Sequence, residues 1–166
     1  DTPDGAGLLV AGQKAFRVAL KNFRAGDDRL KNAAGLLFYV RADEAVAGLD
    51  FTIGIVDETN PDAVELYEFD SYEGDYYYAP TGGRLYKVSR DAIRLPAGFE
   101  GVVYFPFETF LPAAGSVPDN LTVDPDGVTR VTIAAEPNNA EQGDVVLTLD
   151  NLSLYASQDQ LETMVG

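Results

Sequence analysis

The stretch LDFTIGI at positions 49–55 indicates the fold class, because large apolar residues alternate along it with polar or small residues, with a period of two. This period places its apolar side chains on one face of an extended strand, namely Leu49, Phe51, Ile53 and Ile55. The stretch GLLFYVR at positions 35–41 is instead almost continuously apolar. Such a run is typical of a central strand that is buried on both faces.

The rest of the chain repeats short β-type runs between turn residues such as Asn60-Pro61 and Pro125-Asp126-Gly127. The pattern predicts about nine to ten strands, and only residues 107–114 have an interior sequence compatible with a helix. Many short strands with almost no helix are typical of an all-β protein. We therefore expect a two-sheet antiparallel β-sandwich, a jelly roll, in a single domain over residues 1–157. Residues 158–166 form a terminal tail, a linker or a short helix.

The composition excludes several kinds of chemistry. The chain has 166 residues and contains neither histidine nor cysteine. Zinc sites and Ser-His or Cys-His nucleophiles are therefore excluded. Carboxylate chemistry and cation binding through oxygen remain. With 27 acidic residues some close carboxylate pair is inevitable, so their abundance does not indicate catalysis. We expect a protein that is not an enzyme.

The net charge of −15 bears on the possible partners. A negative field of this kind repels nucleic acid and anionic lipid surfaces. No apolar run approaches the roughly 20 residues that a membrane-spanning helix requires. The first residues, DTPDG, contain neither an initiator methionine nor a signal peptide. We expect no nucleic-acid partner, no membrane insertion and a module that belongs to a larger multidomain protein.

Three segments resemble a known family. They are GLLFYV at 35–40, GFEGVVYFPFETF at 98–110 and LTLDNLSLY at 147–155. Together and in this order they resemble carbohydrate-binding modules with the galactose-binding-like jelly-roll fold. The resemblance implies a non-catalytic module that attaches a bacterial secreted or cell-surface protein to polysaccharide. The chain departs from this family in one respect, since it has no tryptophan on which a sugar could stack.

The tyrosine-rich segment YEGDYYY at positions 72–78 is the first candidate binding site. A tyrosine ring covers the apolar face of a sugar, and nearby carboxylates bind its hydroxyls. This interpretation makes Tyr72, Tyr76, Tyr77 and Tyr78 ligand-binding residues. In the alternative interpretation Tyr76 and Tyr78 point into the core, and only Tyr72 and Tyr77 lie outside.

The second candidate is a groove on the outer face of the central strands. If Leu36 and Phe38 point inward, the alternation places the intervening side chains on the opposite face. The predicted groove then combines aromatic, basic and polar side chains, namely Tyr39, Arg41, Asp50, Thr52, Tyr104 and Arg130. The alternative is an ordinary solvated face with cross-strand pairs.

The acidic clusters raise the question of calcium. Asp57, Glu58 and Asp62 surround Asn60-Pro61, and two further aspartates surround Pro125, but neither cluster matches a calcium-loop pattern. The family resemblance implies a structural calcium ion near the chain ends, where Asp150 lies. Asp150 caps the turn after Leu149 in the alternative interpretation. The alternative function is a spacer or a protein-binding adhesion domain of a bacterial surface protein.

Overall fold

A computed structural model of the chain describes residues 8–12, 16–21, 32–42, 49–71, 73–90, 99–137, 145–155 and 161. Within these residues the secondary structure consists mainly of strands. They are β1 (Leu8–Gly12), β2 (Phe16–Lys21), β3 (Gly35–Ala42), β4 (Leu49–Asp57), β5 (Glu65–Asp70), β6 (Asp75–Pro80), β7 (Tyr86–Ser89), β8 (Glu100–Pro106), β9 (Leu111–Pro112), β10 (Val128–Pro137) and β11 (Val145–Tyr155).

The strands form two antiparallel sheets. Sheet A has the order β1-β11-β3-β8-β6-β7, and sheet B has the order β2-β10-β4-β5-β9. The chain passes back and forth between the sheets, so that β1-β11-β3-β8 and β2-β10-β4-β5 form the two four-stranded layers of a jelly roll. The β6–β7 hairpin and the short strand β9 extend these layers. The predicted two-sheet antiparallel β-sandwich is confirmed.

The core lies between the two sheets and is rich in phenylalanine. Leu36, Phe38 and Val40 of β3 point into it, as the alternation predicted, and so do Phe51, Ile53 and Ile55 of β4. The central strand β3 is buried on both faces, because Leu37 and Tyr39 on its other side are only 3% and 4% exposed. This confirms the interpretation of the continuous apolar run.

The structure corrects two predictions about local elements. Residues 107–114 do not form a helix, since a single 3-10 turn at Phe107–Thr109 is followed by β9. Pro112 has no N–H group with which to continue a helix there. The segment around Asp150 is not a turn between two strands. It lies within β11, where the register with β3 shifts between Asp150 and Ser153, and such a shift is typical of a β-bulge.

A second, smaller apolar cluster lies on the outer face of sheet A. Leu37, Tyr104 and Leu161 are buried there, and Tyr77, Leu85 and Val102 pack against them. Leu161 therefore packs against the outer face of sheet A. In the described part of the chain, no helix has the length and apolar character needed to cross a membrane.

Candidate functional site

A cleft of about 590 Å³ lies at one end of the sandwich. Its size falls within the range of small-molecule binding sites. Sheet A contributes Tyr77 of β6 and the end of β8, while β5 contributes Tyr67 from sheet B. The segment from Leu121 to Val123 forms another part of the wall. The lining residues are Ala34, Tyr67, Tyr77, Tyr104, Pro106, Phe107, Glu108, Phe110, Leu121, Thr122 and Val123.

Two tyrosines from neighbouring strands form the aromatic wall of the cleft. Tyr77 of β6 pairs in register with Tyr104 of β8. Their ring centroids are 6.1 Å apart, with the planes tilted by 48°. Tyr104 packs over Gly35, where any Cβ atom would overlap its ring. Tyr104 is therefore held in place and is only 2% exposed, whereas Tyr77 is half-buried and accessible from the cleft.

Glu108 brings a negative charge to this aromatic wall. It is exposed and belongs to the 3-10 turn that follows β8. Burial, and then the Glu108 carboxylate, raise the pKa of Tyr104 to about 12. The phenol of Tyr104 therefore keeps its proton at neutral pH. The cleft thus combines aromatic rings with a carboxylate that can accept hydrogen bonds.

Two buried carboxylates of sheet B hold the loop that closes the cleft. Glu65 Oε1 accepts hydrogen bonds from the N–H groups of Asp119 at 2.9 Å and Leu121 at 3.0 Å. Asp57 Oδ2 accepts one from the N–H of Asp124 at 2.7 Å. Burial disfavours the ionised form of Glu65, but these backbone N–H groups outweigh it and lower its pKa. The 119–124 loop is therefore anchored by charged groups from the neighbouring sheet.

Tyr67 lies beneath this loop and beside Glu65. Burial, followed by the nearby Glu65 carboxylate, raises the pKa of Tyr67. Its ring is 2% exposed. The cleft therefore has an aromatic floor as well as an aromatic wall.

The tyrosine-rich segment is divided by the pleat of β6. Tyr76 is fully buried in the core, where its ring lies 5.8 Å from that of Phe105. Tyr78 packs against the same core and stacks on Tyr86 at 5.1 Å. Tyr76 therefore cannot contact a ligand, and the inward alternative holds for both residues. Tyr77 lies on the other face, and Tyr72 lies outside the described residues.

The structure does not bring together the groove predicted on the central strands. Tyr39, Arg41 and Tyr104 belong to sheet A, whereas Asp50 and Arg130 belong to sheet B. The chain crosses between the sheets after β3, so the outward faces of β3 and β4 point in opposite directions. Arg130 instead borders a shallow depression of about 320 Å³ on the outer face of sheet B, near Thr52. The predicted groove was wrong because it treated β3 and β4 as neighbours.

Of the eleven residues that line the cleft, sequence reasoning had named only Tyr77 and Tyr104 as binding residues, and Glu108 and Leu121 are among those it missed. Glu108 lies two residues after Pro106, which marks the predicted end of a strand, so its position near the end of a sheet could have been found. Leu121 lies in a loop without periodicity. No local pattern in the sequence indicated that this loop packs on β5.

The Asp57 carboxylate of the first acidic cluster is engaged in loop contacts. Among the described residues, no group of three or more acidic side chains is arranged to hold a metal. Asp57 Oδ1 accepts hydrogen bonds from the N–H and the hydroxyl of Thr59, and its other oxygen binds Asp124 N. These oxygens stabilise loops. The structure describes the backbone of Asp150, which pairs with Tyr39, but not its side chain.

Calcium at Asp150 stays a prediction with a direct test. An ion that binds only the folded state at 100 times its dissociation constant adds about 2.7 kcal/mol of stability. We therefore expect a chelator to lower the melting midpoint of the wild type. The melting midpoint of an Asp150→Ala variant should be the same with and without the chelator. Equal midpoints of the wild type with and without chelator would remove the prediction.

The fold and the cleft define this chain as a jelly-roll domain with an aromatic, carboxylate-bearing cleft at one end of its sandwich. In comparisons with known proteins, no family model matches the sequence, and no curated protein matches it.

Proposed function

We propose that this domain is a non-catalytic carbohydrate-binding module that attaches a secreted or cell-surface protein to polysaccharide. The observation that carries the proposal is the cleft, in which the rings of Tyr77 and Tyr104 lie beside the Glu108 carboxylate. A sugar has an apolar face of C–H bonds and an edge of hydroxyl groups. The aromatic rings of the cleft can pack against the apolar face, and its carboxylate can accept hydrogen bonds from the hydroxyl groups.

The sequence supports the same function through its resemblance to carbohydrate-binding modules and its lack of histidine and cysteine. The ring of Tyr77 supplies the accessible part of the aromatic wall, and Lys87 lies near it, with Nζ 5.9 Å from the ring centroid. Lys87 is also paired with Asp75 at 2.7 Å. This ion pair limits the freedom of the Lys87 side chain beside Tyr77.

We expect the Tyr77→Ala variant to weaken polysaccharide binding at least about tenfold, or about 1.4 kcal/mol. An aromatic side chain that is engaged by a ligand typically contributes this much or more. The melting midpoint should change little, because Tyr77 is half-buried on the outer face and not part of the main core. Affinity electrophoresis in gels with embedded polysaccharides measures the retardation of both proteins.

Tyr86→Ala is the matched control. Tyr86 is a half-buried tyrosine of the same sheet, stacked on Tyr78 and outside the cleft lining. Its loss should leave retardation unchanged. Equal retardation of Tyr77→Ala and the wild type would contradict the site. If the wild type binds no glycan on a broad array, the spacer or protein-binding adhesion function takes the place of this proposal.

A further inference from the structure

The backbone of Leu121 has an unusual conformation for its residue type. Its φ angle is +61°, in the left-handed region that residues other than glycine, asparagine and aspartate rarely adopt. Its side chain is also 57% exposed, although it is large and apolar. Neither the strained backbone nor the exposed side chain helps the protein to fold. Strain of this kind is often found where a structure is organised for a ligand.

Glu65 holds Leu121 in this conformation. The carboxylate of Glu65 is 3% exposed, and one of its oxygens binds the N–H groups of both Asp119 and Leu121. Placing a charge in such a site is unfavourable unless its hydrogen bonds compensate. The buried Glu65 carboxylate therefore serves to fix the conformation of a short loop.

The rest of the loop is anchored by its own polar groups. Asn120 Oδ1 accepts hydrogen bonds from the N–H of Thr122 at 2.8 Å and from its hydroxyl at 2.7 Å. Asn120 Nδ2 donates to Asp124 Oδ2 at 2.7 Å. These bonds and the Asp57 anchor fix the backbone on both sides of Leu121. The Leu121 side chain lines the cleft.

We propose that Leu121 contacts the glycan in the cleft and that Glu65 is the positioning residue that holds it there. This inference rests on the proposed function and extends it to the loop. Leu121 supplies an apolar contact from the loop, facing a cleft whose wall on sheet A is formed by Tyr77 and Tyr104. A sugar ring in the cleft would then have apolar contacts on two sides.

The Leu121→Gly variant tests the contact. Glycine adopts a positive φ without strain, so the melting midpoint should stay the same or rise. Polysaccharide binding should nevertheless fall by roughly threefold to tenfold, because the apolar contact is lost. A residue with a purely structural role would not combine preserved stability with weaker binding. Leu111→Ala is the control, since Leu111 is 56% exposed and lies outside the cleft lining.

The Glu65 variants test the positioning. In Glu65→Ala, the amides of Asp119 and Leu121 should exchange hydrogen at least about tenfold faster, and binding should fall as in Leu121→Gly. Glu65→Gln keeps an acceptor oxygen and should therefore restore much of the amide protection and much of the polysaccharide binding. Glu68→Ala, on the exposed side of the same strand, should change neither.

The outcomes separate this inference from the proposed function. If the wild type binds polysaccharide and Leu121→Gly binds equally well, the inference is wrong while the proposed function stands. If the Asp119 and Leu121 amides of Glu65→Ala exchange hydrogen faster and the variant still binds polysaccharide like the wild type, the positioning role is wrong. If the wild type binds no polysaccharide, both the proposed function and the ligand contact are overturned.

Discussion

Replacement of Phe105 by alanine is expected to lower the free energy of unfolding by about 3–5 kcal/mol. Phe105 lies at the centre of the core and contacts four other aromatic rings. Its ring centroid is 4.9 Å from that of Phe69, 5.6 Å from Phe38 and 5.8 Å from both Phe51 and Tyr76. The rings come from both sheets, so a cavity here removes contacts that hold the two layers together.

Urea unfolding followed by fluorescence or circular dichroism measures this effect. The midpoint should fall while the slope stays constant, as expected when stability changes and the exposed surface does not. Val102→Ala in the same strand is the control, because Val102 is only half-buried on the outer face. The Val102→Ala substitution should lower the free energy of unfolding by about 1 kcal/mol or less. A loss below about 1.5 kcal/mol for Phe105→Ala would contradict the packing of this core.

Replacement of Asp57 by alanine is the second large effect that we expect, at about 3 kcal/mol. Asp57 is 2% exposed. Its carboxylate accepts hydrogen bonds from the backbone N–H groups of Thr59 and Asp124 and from the Thr59 hydroxyl. A hydrogen bond to a charged group contributes about 1.5–3 kcal/mol, and its loss leaves the partner group unsatisfied. The bond to Asp124 joins segments 67 residues apart. The substitution therefore removes the anchor at the Asp124 end of the 119–124 loop as well as the one at Thr59.

Asp62→Ala is the matched control for this substitution. Asp62 lies in the same connection between β4 and β5 and is exposed. It changes the net charge equally and should alter the stability by no more than about 0.5 kcal/mol. Denaturant unfolding of the three proteins at one pH and salt concentration makes the comparison. Equal stability of the two variants would mean that the Asp57 anchors contribute nothing.

The two large predictions concern different parts of one arrangement. The aromatic core around Phe105 fixes the distance between the sheets, and the cleft lies at an end of that core. Asp57 and Glu65 are cross-strand partners in β4 and β5. Both direct their carboxylates at the 119–124 loop. The shape of the cleft therefore depends on packing within the sandwich and on two buried charges at its edge.

The amino-acid sequence by itself determined the fold class and the inward faces of β3 and β4. Alternation along residues 49–55 correctly placed Phe51, Ile53 and Ile55 in the core, because the two faces of a strand follow from backbone geometry alone. The continuous run at 35–40 correctly predicted a strand that is buried on both sides. Turn residues indicated most of the strand ends, because their conformational preferences are local as well.

Only the tertiary structure decided which strands share a sheet and which side chains meet. The local pattern of a strand is the same whether its neighbour lies in one sheet or the other, and for this reason the groove joining Tyr39 to Asp50 was predicted wrongly. The pairing of Tyr77 with Tyr104 and the capture of the Leu121 N–H by Glu65 join segments that are distant in sequence. Such contacts follow from the closure of the whole sandwich, which brings distant strands to one edge and buries the charges that hold the loop.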